Sequence, residues 1–192
     1  MSTLSVNNLT TLTGSTITIP TGKKLIVNDV GGVAVPGSVL NVYRSGHSGS
    51  TTNGSDQNVW YDSTVSITFT PLSASSIFVV WYNIGVNLTD SGGDAGFSLR
   101  LKRVHNSTTS YPTGLDTDAS GGSNRHSFWY TNANPTSTNL YQMANVHGND
   151  TDSHGTASIT YTVQFASYNA GNLQVGLSYG ARTLMTVMEI AQ

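Results

Sequence analysis

Apolar residues in this chain recur at every second position. In Thr64–Thr70 (TVSITFT), Val65, Ile67 and Phe69 share one face and the hydroxyl residues share the other. Ser158–Phe165 repeats the pattern with Ile159, Tyr161, Val163 and Phe165, and Leu173–Tyr179 with Leu173, Val175, Leu177 and Tyr179. A period of two places one face of a strand in a core and the other in solvent. Further strands are expected from Ser38, Gly96, His126 and Thr138. No stretch carries the apolar spacing of an amphipathic helix, so the fold class read from the pattern is all-β.

Two segments break the alternation. Ser76–Val86 sets Ile77, Val79 and Trp81 against Phe78, Val80 and Tyr82. Thr183–Ala191 sets Leu184, Met188 and Ile190 against Met185, Val187 and Ala191. A strand in a two-layer sandwich buries one face, so strands apolar on both need a second cover. A long loop is one candidate cover and another subunit is the other; the subunit is favoured.

Polar stretches of Gly, Ser and Asn separate the strands at Ser45–Asn58, Thr89–Ala95, Asn106–Arg125 and His147–Gly155, and are read as loops. Near the start, Gly14–Gly37 (GSTITIPTGKKLIVNDVGGVAVPG) holds short strands around Ile17, Ile19, Leu25 and Val27, ended by a Gly31-Gly32 break. Residues 1–35 are therefore expected to form a β stem and residues 36–192 a head. A stem this small buries too little surface to stand alone, and oligomerisation or cross-links normally stabilise such pieces. The chain has no cysteine, which leaves oligomerisation.

Composition narrows the chemistry. The 192 residues carry 9% charged side chains and a net charge of -2, which offers no basic field for nucleic acid. The first residues lack a charged and then apolar leader, and no run is long enough to span a membrane, so neither a signal peptide nor membrane insertion is expected. No nucleophile motif, phosphate-binding glycine loop or paired-carboxylate pattern stands out, so no enzyme activity and no cofactor are expected. Glu189, the only glutamate, is expected in a salt bridge or at the surface.

Two groupings remain. His147, Asp150, Asp152 and His154 lie within eight residues and offer nitrogen and oxygen donors, yet their spacing matches no metal motif; a plain turn is the favoured reading. Trp60, Tyr61, Tyr111, Trp129 and Tyr130 stand beside Asn, Asp and Thr near loops. Aromatic faces stack on sugar C–H surfaces and carboxamides match hydroxyls, so these five are candidate glycan or receptor contacts. The competing reading buries one ring of each pair in the core.

The stretch GSTITIPTGKKLIVND resembles the opening of tail-fibre and related virion proteins of marine bacteriophages. PGSVLNVYR, TFTPLSASSIFVVW, DSHGTASITYTVQF and the closing MEIAQ resemble the globular end domain of such fibres. One departure is His154, where that pattern often has proline. The resemblance implies a homotrimer with a jelly-roll-like or TNF/C1q-like antiparallel β-sandwich head, made in a host cytoplasm and carried on the virion. Ile17, Ile19, Leu25 and Val27 would serve trimerisation and attachment to other virion proteins of tail or capsid. The function expected is a short fibre whose head binds a host-surface glycan. The alternative is an architectural capsid-decorating fibre, cement or tail adaptor protein. A cellular lectin-like module is the third and weakest reading.

Overall fold

The computed structural model describes residues 21, 35–52, 59–89, 95–112, 115, 129–131, 139–168, 172–176 and 183–192. The chain divides into the units Met1–Val33 and Ala34–Gln192, and every described residue except Thr21 belongs to the second. The stem and its residues Ile17, Ile19, Leu25 and Val27 lie outside the described residues.

Among the described residues there are eleven strands, in chain order β1 (Val39–His47), β2 (Ser50–Thr52), β3 (Tyr61–Phe69), β4 (Ile77–Thr89), β5 (Ala95–His105), β6 (Thr108–Ser110), β7 (Trp129–Thr131), β8 (Asn139–Asp150), β9 (Ile159–Tyr168), β10 (Asn172–Gly176) and β11 (Thr183–Ile190). They form two antiparallel sheets packed as a sandwich. In the first sheet β1 pairs with β11 and β11 with the first half of β4. The second half of β4 pairs with β10, and β10 with β2. β8 runs along the whole opposite edge of β4. The second sheet pairs β3 with β9 and β9 with β5, whose far edge carries β6 at one end and β7 at the other.

Setting aside β2, β6 and β10 and renumbering the rest in chain order leaves eight, whose order is 1-8-3-6 in one sheet and 2-7-4-5 in the other. That is the double Greek key of a jelly roll. The all-β sandwich expectation therefore holds, and its reason is the alternation. Val65, Ile67 and Phe69 of β3, Leu99 and Leu101 of β5, and Ile159, Tyr161, Val163 and Phe165 of β9 all point inward and are buried. They meet Phe78, Val80, Tyr82, Ile84, Val86 and Leu88 of β4. Each such side chain contributes about 1.5–3 kcal/mol by leaving water.

Backbone geometry explains several connections. Asn106 and Ser107 have φ of 48° and 60°, the paired positive angles of a tight hairpin turn joining β5 to β6. Gly155 has φ +60° and supplies the turn after His154. Gly176 has φ +121°, and a Cβ there would sit 2.3 Å from the Gly49 carbonyl oxygen, so only glycine lets β2 approach β10.

Three sequence expectations are corrected. The stretch from Ser45 is not wholly loop, because β1 continues to His47 and β2 follows. The stretch from Asn106 includes strand β6. The stretch from His147 begins on β8, which ends only at Asp150. Polar strand residues on an exposed edge or outer face look like loop composition, and pairing overrides that local signal.

Glu189 is the fourth correction. It is fully buried, on the inward face of β11, and it makes no salt bridge among the described residues. Its Oε1 accepts hydrogen bonds from the Leu72 N–H (2.8 Å), the Ser73 N–H (3.0 Å) and the Ser76 hydroxyl (2.8 Å). Tyr43 donates to Oε2 at 2.9 Å. Backbone and hydroxyl donors satisfy the carboxylate where a cation was expected, and they tie the loop before β4 to the last strand. Burial, followed by the hydrogen bond to Glu189 and its charge, pushes the Tyr43 phenol up to about 12, despite a lowering contact with Asn41.

Candidate functional site

Alternation that buries one face of each sheet presents the other, and the two outer faces differ in chemistry. On the first sheet, strand register aligns Val42, Met188 and Val79 in one row. The next row is Arg44, Thr186, Trp81 and His147. Val42, Trp81, Met143 and Leu184 are 45%, 38%, 46% and 47% exposed. Val42, Arg44, Trp81, Thr186 and Met188 line a shallow groove. At these outward positions Arg44 is the only Lys, Arg, Asp or Glu among the described residues.

The outer face of the second sheet is polar. Ser66 and Thr162 hydroxyls meet at 3.1 Å, and Thr68 and Thr160 hydroxyls at 2.9 Å. Beside this hydroxyl ladder, one rung of three strands carries Asp62, Gln164 and Arg100. Gln164 donates from Nε2 to Asp62 at 2.6 Å, and its Oε1 accepts from Arg100 Nε at 2.7 Å. Lys102 donates to the other Asp62 oxygen. Burial pushes the Asp62 carboxyl up, but hydrogen bonds from Lys102 and Gln164 and the charges of Lys102 and Arg100 outweigh it and hold the group below its usual value.

The Arg100 guanidinium carbon lies over two rings, 4.1 Å from the centroid of Trp60 and 3.8 Å from that of Tyr111. Trp60 enters from the start of β3 and Tyr111 from the end of β6, so the sheet brings together residues 51 positions apart in sequence. Cation–π contacts of this kind are worth about 0.5–2 kcal/mol each. Arg100 was not among the residues singled out from the sequence. Its signal was weak: a cation alternating with leucines on a strand reads simply as an outward-facing residue.

The five aromatic candidates thus separate. Trp60 and Tyr111 meet over Arg100. Tyr61 packs against the core, its ring 6.0 Å from Phe165, because it and Asp62 point to opposite faces of β3. Trp129 and Tyr130 lie on β7, whose backbone pairs with Phe97 and Gly96, at the other end of the β5 edge from β6.

The histidine–aspartate grouping separates as well. His147 is exposed on β8 opposite Trp81. Asp150 is buried and forms an ion pair with Arg103 (Nε–Oδ2 3.2 Å) while accepting a 2.6 Å hydrogen bond from the Tyr161 hydroxyl. Burial first, and then the Asp150 charge and hydrogen bond, raises the Tyr161 phenol. Asp152 lies 3.6 Å from Arg103. His154 is buried, with Nε2 2.7 Å from the Ser76 carbonyl oxygen and Nδ1 2.6 Å from that of Gly155. Asp150, Asp152 and His154 are engaged at the end of the sandwich while His147 stands on the outer face of the first sheet, and no three His, Cys, Asp or Glu among the described residues converge on a metal position. At His154, where the fibre pattern has proline, this chain has a buried strap between two loops.

No protein-family model matches the chain, and no curated protein does. Among solved structures it is similar to the infectious bursal disease virus VP2 subviral particle, at 9% identity and a TM-score of 0.38, over 79% of this chain and 38% of that one. It is also similar to T=1 particles derived from infectious bursal virus, at 13% identity and a TM-score of 0.36, over 88% of this chain and 41% of that one. The chain spans about two fifths of the length of these capsid proteins. No family membership follows at this level of likeness.

Proposed function

We propose that this chain is a non-enzymatic virion structural protein, a homotrimeric fibre or spike whose head binds a glycan on the host surface. The observation that carries the assembly is the apolar outer face of the first sheet, where Val42, Trp81, Met143 and Leu184 stand exposed around a groove with a single formal charge. Exposed contiguous apolar surface of this kind marks an interaction face. A second copy of the chain is the occupant chosen, because closed rotational symmetry also covers sheet edges such as that of β8. The virion role rests on the resemblance of the Gly14–Asp29 stretch and the head motifs to phage fibres. Glycan binding is assigned to the second sheet, where Trp60 and Tyr111 frame Arg100.

Solution mass tests the assembly: three times 20.3 kDa is expected, and a monomer at micromolar concentration overturns it. Labelled imaging of the particle tests the rest. A tail location with host binding by purified protein supports the fibre, whereas a capsid location without host binding makes the chain an architectural decoration.

A further inference from the structure

We infer that the outer edge of β8 is where a second copy of the chain docks by backbone pairing, adding an extended segment that continues the first sheet from one copy into the next. The inference rests on the assembly reading above and names how the copies join.

A strand at the edge of a sheet presents unpaired N–H and C=O groups, and folded proteins blunt such edges with short strands, bulges, charges or prolines. The other edges among the described residues carry such devices. β2, β6 and β7 are three residues each. The pairing of β1 shifts register between Val39 and Asn41, and that of β3 between Asp62 and Ser66. Side chains also bridge β1 and β3: Tyr43 donates to the Thr70 carbonyl oxygen at 2.9 Å, and the Ser66 N–H donates to His47 Nε2 at 3.2 Å. β8 has none of these. It is twelve residues long, pairs with β4 without a break from Asn139 to Asp150, and contains no proline, lysine or arginine. Among the described residues, none pairs with or caps the other side of Gln142–Asn149.

A second copy is the occupant because identical surfaces bring identical charges together, and these surfaces carry almost none. Gln142, Met143, Asn145, His147 and Asn149 are exposed or nearly so, and no Lys, Arg, Asp or Glu lies among the outward residues of β4 and β8. The edge also adjoins the apolar outer face, since His147 pairs opposite Trp81 and Met143 opposite Gly85. A copy seated on that face therefore reaches the β8 edge without meeting a like charge. On the core side Ala144 and Val146 are buried, which favours apolar residues at alternate positions of the added segment.

Successive residues of an edge strand point their N–H groups alternately toward the neighbouring strand and away from it. Gln142 and Asn145 are an odd number of positions apart, so one points its N–H at β4 and the other outward. Gln142→Pro and Asn145→Pro are made in the full chain, and solution mass over a dilution series is measured with the thermal midpoint. The proline that removes the outward N–H suits an edge strand, so that variant should keep its midpoint while its assembly weakens about tenfold or more. Amide exchange over Gln142–Asn149 is followed in the assembled wild type and in wild type diluted to single chains of 20.3 kDa. Alternate amides should exchange about tenfold or more slowly in the assembled protein.

Unchanged assembly in both variants overturns the edge pairing and leaves the trimer standing. Alternate amides that exchange equally fast in trimer and monomer do the same. Slow exchange at every one of these amides in the monomer overturns it too, because the edge is then covered within one chain. If neither variant keeps its midpoint, amide exchange in the wild type decides. A wild type that is monomeric at micromolar concentration overturns both the inference and the assembly reading.

Discussion

The two outer faces of the sandwich are built by the same rule and end with opposite chemistry. Each is the half of an alternating pattern that the core did not take. On the first sheet that half is Val42, Val79, Trp81, Leu184 and Met188; on the second it is Asp62, Thr68, Arg100, Lys102, Thr160 and Thr162. Water solvates the second face well, and its groups also satisfy one another. The first face gains less from water, since Arg44 is its single formal charge among the described residues, so it is the face that a second copy would remove from solvent. Under the proposed function, the jelly roll would separate assembly from recognition simply by having two sheets.

The largest expected effect breaks the first face. Trp81→Asp combined with Leu184→Asp should convert a trimer of 20.3 kDa chains to monomers, read by sedimentation or light scattering, while circular dichroism stays that of a β protein. The same pair of substitutions leaves the second face intact. A monomer that still binds host cells, more weakly through lost multivalency, sharpens the separation of roles.

Next is a change that both faces should feel equally. Asp150→Ala removes the buried carboxylate partner of Arg103 and leaves it the half-exposed Asp152 and the Ser153 carbonyl, for an expected cost of about 3 kcal/mol in denaturant unfolding. Because the pair lies at the end of the sandwich between the sheets, assembly and ligand binding should fall together with stability. Loss of one without the other would show that the end of the sandwich serves one face alone.

A smaller effect comes from pH. The Tyr43 phenol is raised from 10.0 to about 12, so its neutral form is favoured in the folded state. That contribution is fully present below pH 10 and is lost as pH rises toward 12, since the unfolded phenol ionises first. Thermal midpoints should decline across this window, and Tyr43→Phe should decline less steeply. His47 moves in the other direction: burial lowers its imidazole, though backbone contacts at Thr64 and Ser66 oppose the shift. Its contribution is present above the ordinary imidazole value of 6.5 and is lost as pH falls through the lowered one.

The smallest effect belongs to the hydroxyl ladder of the second face. Thr68→Val removes one partner of an exposed hydrogen bond and should cost less than about 1 kcal/mol. Assembly should not change. A large loss of trimer would mean that this face, too, is covered by a neighbour.

The sandwich was legible in the sequence because strand alternation is local. Val65-Ile67-Phe69 and Ile159-Tyr161-Val163-Phe165 state their buried face without reference to any other segment. The two-sided character of Ser76–Val86 was legible as well, and Phe78, Val80 and Tyr82 proved to be the core set, leaving Ile77, Val79 and Trp81 outward. Glu189 was misjudged because its partners are not cations: two are backbone N–H groups from a loop more than a hundred residues earlier. The Asp150 and His154 grouping looked like a set of ligands in one dimension. In three, Arg103 claims Asp150, and the carbonyls of Ser76 and Gly155 face His154.

Sequence by itself determined the strand periodicity, the absence of disulfides and the count of aromatic residues, since each is a property of neighbouring residues or of their number. Tertiary structure alone decided which aromatics meet. Trp60 and Tyr111 share Arg100 because β9 lies between β3 and β5 and sets their register. Tyr61, one residue from Trp60, is lost to the core by the pleat of the same strand. Contacts across strands depend on pairing between distant segments, and no local pattern encodes that choice.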